Sequence, residues 1–183
     1  MKNLFNIGML VLLTTMFTSC EKIKSIFDVE VKSTLEGMLY IDVEEPVQKS
    51  TNAYDFYEEV KVSPLDDEDI AEYEDNIKKI KATKIEATVK EVTKADVVFE
   101  KGTKITVKGT KVVSWTLSEP WPIEIGDEIT LGDDVTVKLY KAVTEMLTDL
   151  ETLTVIAEGT CNQKEVYVTL VVGIDVVVTA NPL

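Results

Sequence analysis

Histidine and arginine are both missing from this chain; all 19 of its basic residues are lysine. Without histidine it lacks the usual general base at neutral pH and the commonest metal-ligating side chain. Without arginine it lacks the planar fork that clamps a carboxylate or phosphate. Cations are scarce as well: 33 acids against 19 lysines leave a net charge of −14. Such a field repels nucleic acid and anionic headgroups, so no nucleic-acid partner is expected. Among 183 residues 45% are hydrophobic, enough to make a folded domain rather than a disordered tail. The length suits one domain with a real core. The chain contains no long repeat, low-complexity tract or internal linker.

Lys2 is the only charged residue before Cys20, and Phe5 to Phe17 forms an apolar run of signal-peptide length. The run is short for a membrane span, which needs about 20 apolar residues. It ends in Phe17-Thr18-Ser19-Cys20, which resembles the lipobox of bacterial lipoproteins. Thr18 and Ser19 are the small residues a lipoprotein peptidase accepts, whereas Phe17 stands where leucine is usual. The resemblance implies that the Cys20 thiol carries diacylglycerol, that cleavage precedes it, and that the new amine is acylated. Residues 1–19 then form the signal peptide, 20–25 a lipidated tether and 26–183 a single domain. The plain alternative is an ordinary cleaved signal with an incidental cysteine. Glu21-Lys22-Ile23-Lys24 follows the cysteine. It has neither the aspartate that retains lipoproteins at the inner membrane nor a pure acidic run. The expectation is an outer-membrane anchor facing the periplasm, with the cell surface as its alternative.

An acylated Cys20 leaves Cys161 without a disulfide partner. Gly159-Thr160-Cys161-Asn162-Gln163 reads as a turn, and with only Lys164 as a nearby cation, Cys161 reads as structural rather than reactive.

Period-2 alternation runs through the exported part. Phe27, Val29 and Val31 alternate with charged residues; Leu39, Ile41 and Val43 follow across a Gly37 turn. Tyr54 to Val62 is a further strand. Ile85, Ala87 and Val89 show the pattern of a half-buried antiparallel strand, repeated by Ile105 and Val107 and then by Val113, Trp115 and Leu117. At the C-terminus Val166, Val168, Leu170, Val172, Ile174, Val176 and Val178 share one parity. At about 3.3 Å per residue such a run spans roughly 45 Å, long for one small sheet. One strand serving two sheets with a corner at Gly173 is expected, a hairpin there being the alternative. Two helices interrupt the strands. Ser63-Pro64-Leu65-Asp66 supplies an N-cap, a first-turn proline and an acid, with Ile70, Tyr73, Ile77 and Ile80 at helical spacing. The second begins near Asp133-Asp134 and carries Leu139, Tyr140, Val143, Met146, Leu147 and Leu150. The expected fold is mainly β: an antiparallel β-sandwich, immunoglobulin-like or related, with two short helices.

These features resemble small Bacteroidetes lipoproteins that fold as β-sandwiches. The likeness rests on the lipobox, on a helix leading into Leu153-Thr154-Val155-Ile156-Ala157-Glu158-Gly159, and on the closing Val176-Val177-Val178-Thr179-Ala180-Asn181-Pro182-Leu183. It covers about half the chain and implies a fold but no activity.

Candidate chemistry is sparse. Asp66, Asp67, Glu68 and Asp69 offer oxygen ligands for calcium, but the D-x-D-x-D-G spacing is missing, and acids in a first helical turn stabilise the helix dipole unaided. Asp127-Glu128 and Asp133-Asp134 read as turn and N-cap residues. Paired carboxylates serve glycosidases, but an acid-rich chain brings such pairs together by chance. Ser114 and Ser118 have no histidine to activate them. Trp121, between Pro120 and Pro122, reads as a tryptophan in a rigid turn, able to stack on a sugar ring or anchor a protein. Trp115 reads as core. No metal, cofactor or catalytic residue is expected. The expectation is a lipid-anchored envelope protein, attached through acylated Cys20, that binds or scaffolds a protein partner without catalysis. A glycan-binding role through Trp121 is the alternative, and a carboxylate-dependent hydrolase the third reading.

Overall fold

A computed structural model of the chain describes residues 28–43, 53–130 and 133–181. Cys20, the signal segment and residues 20–25 lie outside the described residues. Among the described residues ten strands form two antiparallel sheets. In chain order they are β1 (Val29–Val43), β2 (Tyr54–Val62), β3 (Ile77–Val92), β4 (Val98–Phe99), β5 (Lys104–Lys108), β6 (Val112–Thr116), β7 (Trp121–Pro122), β8 (Glu128–Thr130), β9 (Leu153–Cys161) and β10 (Val166–Ala180). One sheet has the order β1-β10-β3-β8. The other runs β6-β5-β9-β4-β7, with β2 on the opposite edge of β9. The expected sandwich is the fold observed.

Strand β10 is one unbroken strand in one sheet. It neither turns a corner nor folds into a hairpin at Gly173. It pairs with β1 from Val166↔Val43 to Ala180↔Val29, and with β3 from Val168↔Val92 to Ala180↔Ile77. Its length is absorbed by equally long partners, and its register against β3 slips at three bulges. All seven residues of the predicted parity are buried, so the apolar face was assigned correctly. A Cβ on Gly173 would find only ordinary contacts with Thr34 and Glu86.

Gly37 is likewise not a turn. It sits in the middle of β1 opposite Val172. A Cβ there would stand 2.7 Å from Val62 Cγ2 and 2.9 Å from Val60 Cγ1 on β2. The glycine lets the edges of the two sheets approach, and its value is this packing rather than a bend.

The first predicted helix is mostly absent. Residues 64–76 hold a 3₁₀ turn (Pro64–Asp66), a single α-turn α1 (Glu68–Ala71) and another 3₁₀ turn (Glu74–Asn76). The Ser63 hydroxyl caps Leu65 N–H at 3.3 Å, as read from the sequence. Ile77 and Ile80, though, belong to β3. One isolated turn is too short to propagate, whereas pairing with β10 buries Ile80 completely.

The second helix, α2 (Asp133–Thr148), forms where expected. Leu139, Val143, Met146 and Leu147 are buried against the sheets. Leu150 follows in the left-handed region at φ 56°; Leu150 N–H donates to Leu147 O and Glu151 N–H to Met146 O. This is a Schellman closure with leucine in the place glycine usually takes.

Helix α2 also closes a sheet edge. Strand β8 covers only Glu86 to Thr88 of β3. Beyond it, Ala82 N–H donates to Thr144 Oγ1 at 3.0 Å, Ile80 N–H to Thr148 Oγ1 at 3.2 Å and Ile85 N–H to the Tyr140 hydroxyl at 3.3 Å. The Thr148 hydroxyl in turn donates to Ile80 O at 3.0 Å. Residues 140, 144 and 148 fall four apart, so one helix face presents all three hydroxyls to the strand. An edge that would otherwise invite a foreign strand is thereby occupied.

Two predictions follow from this packing. Burying a valine contributes about 1.5–3 kcal/mol, and a whole domain about 5–15 kcal/mol. Val168→Asp and Val176→Asp should therefore prevent folding, read as loss of the cooperative urea transition. Thr179→Asp, half-buried on the outer face, should keep the transition with a small shift. Thr169 has the same outward parity but is only 7% exposed between its neighbours, so Thr169→Asp should fall between the two. An unchanged midpoint for Val176→Asp would contradict the register. For the helix ladder, Thr144→Val and Thr148→Val each keep the side-chain shape but leave a strand N–H bare. Each should cost about 1–3 kcal/mol, and the serine variants, which keep the hydroxyl, clearly less.

Candidate functional site

Trp121 is not in a free turn. With Pro122 it forms β7, paired to β4 through Phe99↔Trp121. Its indole meets Phe99 edge-on, with centroids 6.1 Å apart and planes at 74°. Phe99 in turn lies 4.6 Å from Phe56. Phe99 is 1% exposed, so this aromatic column anchors a half-buried Trp121 in the core. The preceding loop is fixed by Leu117 N–H donating to Thr103 O and Gly102 N–H to Leu117 O; Ile123 N–H donates to Val97 O beyond Trp121.

Trp115 reaches the same place from another strand. It shares parity with the apolar residues of β6, as predicted, but β6 is an edge strand, so the indole is only half-buried. The two tryptophans line an open groove of about 290 Å³. Its site is the seam of the sandwich: Trp115 and Thr116 come from the edge of one sheet, Glu128 and Ile129 from β8 at the edge of the other, with the 117–120 loop between. Its charged side chains are the exposed carboxylates Glu119 and Glu128; its hydroxyls are those of Thr116 and Ser118. Trp115 and Ile129 also wall a small apolar void of about 20 Å³ inside the seam, beside Leu139 and Val172. These are the only tryptophans of the chain.

Trp121 was thus legible as a candidate and Glu128 was read as a turn residue, though it opens β8, whereas Glu119 and the role of Trp115 as a wall were not legible. The strand-edge position of Trp115 depends on sheet order, which no local pattern encodes.

Of the other candidates, Ser118 and Glu128 line the groove and the rest lie elsewhere. In the acidic cluster, Asp67 Oδ1 accepts from Ile70 N–H at 3.0 Å, and its Oδ2 accepts from the Ser33 hydroxyl. Asp67 therefore caps α1 and ties it to β1, while Asp66, Glu68 and Asp69 remain on the surface. Among the described residues no three acidic or cysteine side chains come together. Asp127 Oδ2 accepts from Glu124 N–H at 3.1 Å, the turn role expected of it. Ser114 Oγ lies 2.9 Å from Thr106 Oγ1. A second depression, about 430 Å³, lies between β1 and β10 around Lys32, Thr34 and Asp175. There the Thr34 hydroxyl donates to Asp175 Oδ1 at 2.8 Å, so that carboxylate is already engaged.

Cys161 closes β9 rather than sitting in a turn, and it is fully buried. The turn proper is residues 162–165, clamped by Val98 N–H donating to Asn162 Oδ1 at 2.8 Å and by Asn162 Nδ2 donating to Asp96 O at 2.9 Å.

No family model matches the chain, and neither curated proteins nor solved structures give a match.

Burial pushes the Cys161 thiol above its ordinary pKa, outweighing nearby backbone hydrogen bonds that pull the other way. The thiolate is the reactive form. At pH 8 Cys161 should therefore resist iodoacetamide in the folded protein and alkylate readily in urea, as peptide mass mapping will show. Rapid alkylation without denaturant would place the thiol at the surface.

Proposed function

We propose that this chain is a lipid-anchored protein of the bacterial cell envelope that binds a protein partner non-catalytically, with the seam groove as its contact site. The observation that carries the binding role is the pairing of two indoles, one from each of two separate strands, in an open groove whose aromatic wall is rooted in the core. Rigid aromatics of this kind lose little entropy when a partner covers them. The anchor is supported by the apolar segment and the Cys20 lipobox, as in the Bacteroidetes lipoproteins the sequence resembles. No helix among the described residues is long and apolar enough to cross a membrane.

Topology fits such an arrangement. Strand β1 begins at Val29, a few residues after the tether, and Val29 pairs with Ala180 at the end of β10. Trp121 pairs through Phe99 to Cys161, just before β10 begins. Fifteen residues of β10 separate these two ends by about 50 Å at 3.3 Å each. The groove lies between mid-strand and the end of β10 farther from Val29, away from the end of the domain that the tether would join. An outer-membrane anchor on the periplasmic side remains our preferred location. The indoles also favour a second reading, a glycan stacked on Trp121.

Replacing Cys20 with alanine should abolish palmitate labelling and release the protein from the outer-membrane fraction; unchanged labelling would contradict the anchor. A photo-crosslinking residue at Ser118, in cells carrying the full chain, should capture an envelope protein, and Trp121→Ala should reduce that capture strongly. Equal capture by the Trp121 variant would remove the groove from the reading.

A further inference from the structure

We propose that the groove recognises a positively charged side chain, a lysine or arginine presented by the protein partner. This deepens the binding role above and rests on it. The lining supplies two π-faces, Trp115 and Trp121, and two carboxylates, Glu119 and Glu128, without any basic side chain. An ammonium or guanidinium needs just such groups: an aromatic face for its charge and an acceptor for its N–H bonds.

A neutral sugar would stack on the same indoles and donate its hydroxyls to the two carboxylates, but it brings no positive charge for them to neutralise. An anionic ligand meets two carboxylates and a chain of net charge −14. Among the described residues no lysine forms an ion pair with Glu119 or Glu128. Lys84 is held by Glu86 and feels Glu128 only through space. Cation binding would therefore relieve a local excess of negative charge.

The test exploits the two tryptophans, whose emission reports on this groove alone. The full acylated chain in neutral detergent is titrated with three probes: blocked trilysine, the same peptide with all three side chains acetylated, and maltotriose. Trilysine should shift the indole emission, and added salt should weaken the effect. The acetylated peptide should act at least tenfold more weakly. Glu119→Gln with Glu128→Gln should reduce the trilysine response about as much; both are conservative changes at exposed positions. An equal response to the acetylated peptide, a response to maltotriose alone, or silence with trilysine and with a matching arginine peptide would each overturn the charge assignment. The binding role has its own readout: crosslinked capture at Ser118 that persists in the double glutamine variant would sink the charge assignment while leaving that role standing.

Discussion

Strand β10 has no free edge. Both sides are hydrogen-bonded along nearly the whole strand, to β1 and to β3, and its inward face is a continuous apolar row from Val166 to Val178. A strand so placed loses its register only if two ladders slip together, and a one-residue slip would turn every buried valine outward. The rest of the sandwich is arranged around that constraint. Strands β1 and β3 are long because β10 is long. The opposing sheet, centred on β9, must present a matching apolar face, and Leu153, Val155 and Ala157 do so.

With the centre fixed, the two sides of the sandwich close by different means. On the β1 side the sheets come together at Gly37, where the missing Cβ leaves room for Val60 and Val62. On the β3 side they are held apart by α2, whose three hydroxyls take the place of a neighbouring strand. The helix covers the stretch from Ile80 to Ile85, β8 covers the next three residues, and the 117–120 loop leading into β7 approaches from the other sheet. The groove is the part of this seam that neither helix nor strand fills. It is a consequence of how the edge is sealed, and its tryptophans sit there because the edge strands end there.

The sequence announced whatever depended on local period. The strand parities, the apolar face of β10, the Tyr54–Val62 strand and the face of α2 were all legible, because alternation and 3.6-residue spacing are written in neighbouring residues. Features set by tertiary partners were misread. Gly37 and Gly173 look like turns in one dimension, and only the pairing with β10 shows both to be mid-strand. Ile70, Tyr73, Ile77 and Ile80 match a helix by spacing, but the last two are claimed by a sheet that offers full burial for Ile80. The site divides in the same way. Trp121 stood out by its prolines, whereas Trp115, Glu119 and Glu128 come together only once β6 and β8 are known to be facing edge strands of the two sheets.

The composition that lacks histidine and arginine also shapes what the groove can hold. A chain whose only cations are lysines, already outnumbered by acids, has few positive groups to place beside a ligand, and among the described residues five lysines form ion pairs with acids on the surface. Exposed pairs of that sort contribute little stability, but they occupy those cations. What remains at the seam is negative charge beside aromatic faces. A partner that covers the open groove would shield these carboxylates from salt and so strengthen their attraction for its cation. The long-range field would bring a basic partner to this protein from any side, whereas the indoles, fixed through Phe99 to the core, give it one place to stay.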